Sequence, residues 1–251
     1  MTVIVSVRCN DGIVIGADSV ATSSAGPMRV MQVESDEKIA IFGTVMLACS
    51  GSMGYAQRLH DHVQMAIKGG VFKQQNYRAV ITNISSRFIK DLQSSQAMTS
   101  PQNGIGFGAA MAFVHADEAH LVEYGTNDFQ PETKKDKNFF ASIGSGQLIA
   151  DPFLAFVNRV LWKGAIPSLE LGRLGVYWTL DQALKHAPGG VGGDIRLAVL
   201  QKLQGVWTAS ALPDTEEPAQ FISALEGSIL SQAHSIIANA KATTPPTPPA
   251  I

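Results

Sequence analysis

The sequence is short of cysteine, of charge imbalance and of long apolar runs, and each shortage excludes a class of protein. Two cysteines among 251 residues, Cys9 and Cys49, make neither a disulfide framework nor a metal-ligand spacing. Nineteen basic residues against 21 acidic ones leave a net charge of −2. That excludes a polybasic nucleic-acid footprint and gives no reason to expect anionic lipid binding. No run approaches the roughly 18 apolar residues of a membrane span. The N-terminus lacks a basic region, and Val3-Ile4-Val5-Ser6-Val7 is too short for a signal core, so the expected location is the cytoplasm. Phosphate loops, dinucleotide fingerprints, His-Glu-x-x-His and Cys-x-x-Cys are all missing. What is present is 45% apolar residues, enough at this length to bury a core without staples.

Periodicity gives the organisation. Residues 2–9 and 13–18 are rich in β-branched side chains, and Asn10-Asp11-Gly12 between them is a hairpin signature. A polar, Gly/Pro-containing segment, 21–27, follows. Residues 38–42 and 45–49 read as two more strands around Gly43-Thr44. The period then changes: Met53, Ala56, Leu59, Val63, Ala66 and Ile67 share one helix face, which Gly69-Gly70 ends. A second helix is predicted over 77–92. Strands return at 108–115 and 120–124, and a charged loop, 132–137, leads to another at 139–143. Two helices, 147–163 and 168–186, precede the Gly-rich segment 188–193 and strands at 194–200 and 203–210. Residues 218–241 are helical by pattern. Residues 243–251 hold four of the chain's twelve prolines and read as a disordered tail.

Strands and helices come in groups rather than in strict alternation. That predicts an α+β fold: two antiparallel sheets with a helix pair on each outer face, a four-layer αββα sandwich. The expected domains are 1–210 and a C-terminal helical extension with the tail, 211–251.

Several clusters have plain structural readings. His60 and His62 lie two apart on a helix and point to different faces. His115 and His120 flank a hairpin tip, as a facing pair or as separate surface residues. The glycines of 189–193 suit an anion nest or a tight helix-to-strand turn. Ser50-Gly51-Ser52-Met53-Gly54 approaches a nucleophile elbow but opens on Ser rather than Gly. Thr2, directly behind Met1, is different. Methionine is normally removed before a small residue, which would leave a hydroxyl and a free α-amine on one residue. An α-amino pKa of roughly 7.7–8 suits a general base near neutrality, and Thr with its own terminal amine is an activated nucleophile.

The context of Thr2 resembles the proteasome β-subunit/HslV family of N-terminal nucleophile (Ntn) hydrolases. Thr2-Val3-Ile4-Val5-Ser6-Val7-Arg8, Asp11 through Asp18 and Ala21-Thr22 are similar to the family's start. Asp36-Glu37-Lys38-Ile39 is similar to its lysine strand, with a short insertion ahead of it. Ala48 through Ala56 resembles its glycine turn into the first long helix, and Ser142-Ile143-Gly144-Ser145-Gly146 its Gly-Ser-Gly turn into the third. Gly193-Asp194-Ile195 resembles the HslV entry to the late strand. The likeness spans residues 2–200. Residues 211–251 match nothing in HslV, and with the HslV-like start they resemble the bacterial proteasome homologue (BPH) branch.

The resemblance implies an Ntn-hydrolase sandwich and a self-compartmentalising threonine endopeptidase acting on unfolded proteins or peptides. Thr2 would be the nucleophile, Lys38 would lower its hydroxyl pKa, and Asp18 would hold Lys38 charged. The Gly51 N–H would face the oxyanion, and Ser145 would support the Thr2 amine. Ala21 and Thr22, with Gly51, would pair with an extended substrate as an added strand. The Asp-x-x-Ser stretch that many proteasome β-subunits carry near residues 187–193 is missing. No cofactor is required, and a structural cation near 189–195 is expected by analogy with HslV. Partners would be further copies in stacked rings of six or seven, with an AAA+ unfoldase unspecified and neither nucleic acid nor membrane. Two rivals remain: a catalytically silent structural ring subunit, and a small-molecule amidase of the same fold.

Overall fold

The computed structural model describes residues 2–25, 28–34, 38–74, 76–94, 105–186, 191–213 and 215–242. The first hairpin forms as expected: β1 (Val3–Arg8) pairs antiparallel with β2 (Gly12–Asp18), Ile4 opposite Ala17 and Val7 opposite Val14. The next segment differs from its reading as a polar connection. Its backbone forms a separate two-stranded ribbon, β3 (Val20–Ala25) and β4 (Met28–Glu34). Ser and Thr in β3 leave no apolar alternation, so the periodic signal that reveals a half-buried strand is missing.

β5 (Ile39–Phe42) and β6 (Val45–Ser50) form the second hairpin, turned at Gly43. α1 (Met53–Lys68) and α2 (Tyr77–Ser94) follow. β7 (Gly108–His115) and β8 (Glu118–Tyr124) pair next, then β9 (Pro131–Lys134), a short edge strand that overlaps the expected charged loop 132–137. β10 (Phe140–Gly144), α3 (Gln147–Val160), α4 (Leu169–His186), β11 (Ile195–Leu203) and β12 (Val206–Leu212) complete the series. Two five-stranded sheets result, in the orders β10-β1-β2-β11-β12 and β5-β6-β7-β8-β9. Every pairing in both is antiparallel. The fold is therefore α+β, built on two antiparallel sheets.

Among the described residues, two hydrophobic clusters pack the sheets and the helices. In one, Ile4, Ile13 and Ile15 of the first sheet meet Met46, Ala48, Ala110, Ala112 and Leu121 of the second. Alanines opposite isoleucines let the facing strands interdigitate at the density a core requires. In the other, Leu59, Val63, Val80, Ile84 and Phe88 of α1 and α2 pack with Phe107, Phe113, Tyr124 and Phe129. The Phe88 ring centroid is 4.5 Å from that of Phe129, and Tyr124 stacks on Phe129 at 4.7 Å. Each fully buried aromatic of this kind contributes roughly 1.5–3 kcal/mol. α4 packs on β1 and β2. At Gly16 the approach is so close that a Cβ would lie 2.6 Å from the Val176 and Leu180 side chains.

The chain divides into two compact units, residues 1–215 and 216–251. The described part of the second is one long helix, α5 (Glu216–Ala242). The Pro-rich stretch 243–251 lies outside the described residues. Among the described residues no helix is long and apolar enough to cross a membrane.

Candidate active site

Thr2 stands where β1 begins, its neighbour Val3 already paired with Gly144 of β10. That places it beside the turn between β10 and α3. The Thr2 backbone N donates to Ser145 Oγ at 3.2 Å, and Gly146 N donates to the Thr2 carbonyl at 3.2 Å. Gly144 sits at φ +104, a conformation that suits glycine. A Cβ there would lie 2.2 Å from the Thr2 carbonyl oxygen and 2.8 Å from Ser50 Oγ. Thr2 and the end of β6 are therefore side by side around Gly144. The next residue, Gly51, has φ +122 and an exposed position between β6 and α1.

Asp18, the last residue of β2, joins three parts of the chain. Its Oδ1 accepts from Lys38 Nζ at 2.6 Å and from the Val3 amide at 3.0 Å, and its Oδ2 accepts from Gly192 N at 3.3 Å. Asp18 is wholly buried and Lys38 is 8% exposed. A carboxylate out of water needs this many donors. Burial pushes the Lys38 ammonium below the usual lysine range, while the charge of Asp18 and its hydrogen bond pull it back up.

Sequence reasoning missed residues that complete this arrangement. Ser19, wholly buried, accepts from Asp194 N at 2.8 Å and ties the late strand to β2. Asp151 of α3 accepts from Ser142 Oγ, in a short contact, and from Gln147 Nε2 at 2.9 Å. The turn that carries Ser145 is thereby braced from both sides. Only the Ser142-Ile143-Gly144-Ser145-Gly146 motif hinted at this, since it marks the turn but not its support. Ser50 lies beside Gly51 in the sequence yet is buried, and nothing in its spacing signals the neighbourhood of Thr2.

The structure therefore brings Thr2, Asp18, Lys38 and Ser145 into one hydrogen-bonded group, with Gly51 one residue from Ser50 at its edge. Ala21 and Thr22 lie in β3, opposite Val33 and Gln32 of β4. Asp36 and Glu37, quoted for the lysine strand, and residues 187–190 lie outside the described residues. The described part of the 189–195 loop carries one carboxylate, Asp194, which faces Arg196 at 3.7 Å. Among the described residues no three His, Cys, Asp or Glu gather as a metal site. His115 and His120 do face each other, ring centroids 6.1 Å apart. His115 Nε2 lies 2.5 Å from the Gln74 carbonyl, and His120 stacks on Tyr77 at 4.3 Å.

No protein-family model and no curated protein matches the sequence. Solved structures do match the fold. An Anbu (Gly-1) mutant from Hyphomicrobium sp. strain MC1 superposes with a TM-score of 0.72 at 16% identity, covering 94% of this chain and 97% of that one. Anbu (ancestral beta-subunit) from Yersinia bercovieri gives 0.70 at 11% identity, covering 99% and 100%. The Anbu complex from Pseudomonas aeruginosa, described as a helical assembly, gives 0.64 at 14% identity, also covering 99% and 100%.

The fold is that of the Anbu proteins. This corrects the expected membership of the proteasome β-subunit/HslV family and of its BPH branch, because Anbu proteins are proteasome-like but a distinct family. The physical reason lies in where the quoted motifs sit. Gly51 and Gly144 occupy positive-φ turns and Asp18 ends a buried strand, positions set by a shared scaffold. Motifs of that kind report the Anbu-type fold and do not separate one family on it from another. These neighbours align over nearly the whole length of both chains.

Proposed function

We propose that this chain is a threonine-type endopeptidase, with Thr2 as its nucleophile once Met1 is removed. The observation that carries this reading is the single carboxylate oxygen of Asp18 that takes both Lys38 Nζ and the Val3 amide. It anchors a buried cation beside the residue that holds the hydroxyl and the prospective free amine.

The steps follow from chemistry. Thr2 Oγ attacks the scissile carbonyl and its proton passes to the Thr2 α-amine, directly or through water. The C–N bond breaks as that proton moves to the leaving amine, leaving an ester on Oγ. Water then cleaves the ester, releasing the acid and restoring the hydroxyl. A unit charge 4 Å from a developing alkoxide is worth about 4 kcal/mol at an effective dielectric of about 20, which is the role assigned to Lys38. Asp18 keeps Lys38 in place. The Gly51 N–H is assigned to the oxyanion, where loss of one donor costs about 2.7–4 kcal/mol. Ser145 steadies the amine, since its Oγ already accepts from the Thr2 nitrogen. The backbone at Ala21 and Thr22 is assigned to an extended peptide, paired as an added strand.

The four-layer αββα sandwich belongs to the same reading. It is supported by one cluster between the sheets and another between the second sheet and α1 and α2. So does self-association into a chamber that admits unfolded chains. Successive copies on a helix, as described for the Pseudomonas aeruginosa neighbour, and closed double rings of six or seven are the geometries that electron microscopy would separate. Turnover of unblocked peptide fluorophores, set against amide metabolites, tests the activity. Peptide cleavage supports the reading, amide turnover alone favours a small-molecule amidase, and no turnover of either favours a structural subunit.

A further inference from the structure

Strand alternation brings a second hydroxyl to Thr2. Met46 and Ala48 of β6 belong to the cluster between the two sheets, as does Ile4 of β1. Side chains two apart on a strand share a face. Ser50 therefore continues the row of Met46 and Ala48, and Thr2 continues that of Ile4, so both point into the rim of the same layer. The geometry at Gly144 agrees: a Cβ there would lie 2.8 Å from Ser50 Oγ and 2.2 Å from the Thr2 carbonyl oxygen. The two oxygens are thus no more than about 5 Å apart, a distance that one bridging water spans. Ser50 is 9% exposed, yet no hydrogen bond joins its hydroxyl to another described residue. Buried hydroxyls normally have partners, and one left over beside reacting groups calls for a chemical explanation.

We propose that Ser50 holds the water that hydrolyses the acyl-enzyme, an inference that rests on the threonine-peptidase reading above. Forming the ester needs no third group, because nucleophile and base both belong to Thr2. Breaking it does, since a water has to be brought to the ester carbon and aligned there. The neighbouring polar groups are already engaged. Ser145 Oγ accepts from the Thr2 nitrogen, and Asp18 takes Lys38 Nζ and the amides of Val3 and Gly192. Ser50 is not engaged, and it precedes Gly51, whose N–H is assigned to the carbonyl oxygen of the ester. A water on Ser50 Oγ thus sits one peptide unit from the group that holds the carbonyl it attacks. The water oxygen bonds to the ester carbon while one of its protons passes to the Thr2 α-amine. The C–Oγ bond then breaks, that proton moves to Thr2 Oγ, and the acyl fragment leaves as a carboxylic acid.

Steady-state kinetics of the full-length protein on a peptide nitrophenyl ester reads this step, because such a substrate acylates fast and leaves hydrolysis of the acyl-enzyme to set kcat. Ser50→Ala deletes one oxygen to which no other described residue is bonded. The expected result is a kcat lowered about tenfold or more, with kcat/KM kept within about twofold because that ratio stops at acylation. Intact mass then finds the acyl group on Thr2, and added hydroxylamine, which takes the acyl group in place of water, restores turnover. Equal losses in kcat and kcat/KM would put Ser50 in acylation and overturn the proposal. Unchanged kinetics would overturn it too, as would a hydroxylamine effect no larger than in the unsubstituted protein. Thr2→Ala separates the two levels. Turnover that survives it contradicts Thr2 as nucleophile, whereas turnover that it abolishes while Ser50→Ala behaves as the unsubstituted chain contradicts the role of Ser50 alone.

Discussion

Lys38 and Asp18 meet at 2.6 Å inside the protein, and the oxygen they share also holds the amide next to Thr2. The pair is buried on both sides, so its energetics differ from those of a surface bridge. Removing one member leaves the other charge without its counter-ion, which costs about 3–5 kcal/mol. Asp18→Ala should lose that much stability in denaturant titrations. The double variant Asp18→Ala/Lys38→Met should recover a large part of it. Simple additivity of the two losses would mean that the charges do not interact.

The depressed Lys38 pKa gives a pH dependence with a defined sign. Because the folded value lies below the unfolded one, the unfolded chain holds the extra proton between them. Stability from this group therefore rises as pH climbs through that window. Activity should do the opposite on its alkaline limb, since the proposed role needs a charged Lys38. The acid limb should follow the Thr2 amine at roughly 7.7–8. A kcat/KM profile that holds flat up to the ordinary lysine value, about 10.4, would count against the assignment.

Gly144 couples backbone geometry to the site. Gly144→Ala adds a methyl 2.2 Å from the Thr2 carbonyl, at a φ of +104. Since the obstacle is backbone, a side-chain rotation does not relieve it. The expected result is a folded chain destabilised by about 1–3 kcal/mol and inactive, with Thr2 displaced from Ser145. Gly43→Ala, whose Cβ meets nothing within 4 Å, shares the positive φ and is the control that separates strain from displacement.

The aromatic cluster under α2 sets the stability of the second sheet. Phe88 is wholly buried against Phe107 and Phe129. Phe88→Ala should cost about 3–5 kcal/mol, read from the urea midpoint, with the residual activity per folded molecule unchanged. A loss below about 1 kcal/mol would show that the cluster collapses into the space.

Most of the fold was legible because its signals are local. Asn10-Asp11-Gly12 and Gly43 announce hairpins, and the helix faces of α1 and α2 repeat at helical spacing. β3 was hidden because its Ser and Thr leave no apolar alternation to read, and β9 because its four residues, Pro131-Glu132-Thr133-Lys134, carry no apolar alternation either. The site was legible only in part. Thr2, Asp18, Lys38 and Ser145 stand far apart in sequence and are joined by tertiary hydrogen bonds. No spacing shows that Asp18 also binds Gly192, or that Asp151 braces the Ser145 turn. Family membership was misread for a related reason: glycine turns and strand ends are dictated by the scaffold, so proteins that share only the fold share them too.

The most direct measurement is intact mass and peptide mapping of the native protein after incubation with a peptide epoxyketone, a reagent that needs one residue's hydroxyl and free amine together. The expected result is a chain without Met1, carrying one stoichiometric adduct on Thr2 that disappears in Thr2→Ala. A protein that retains Met1, or that binds the reagent at another residue, would contradict the assignment of Thr2 as nucleophile.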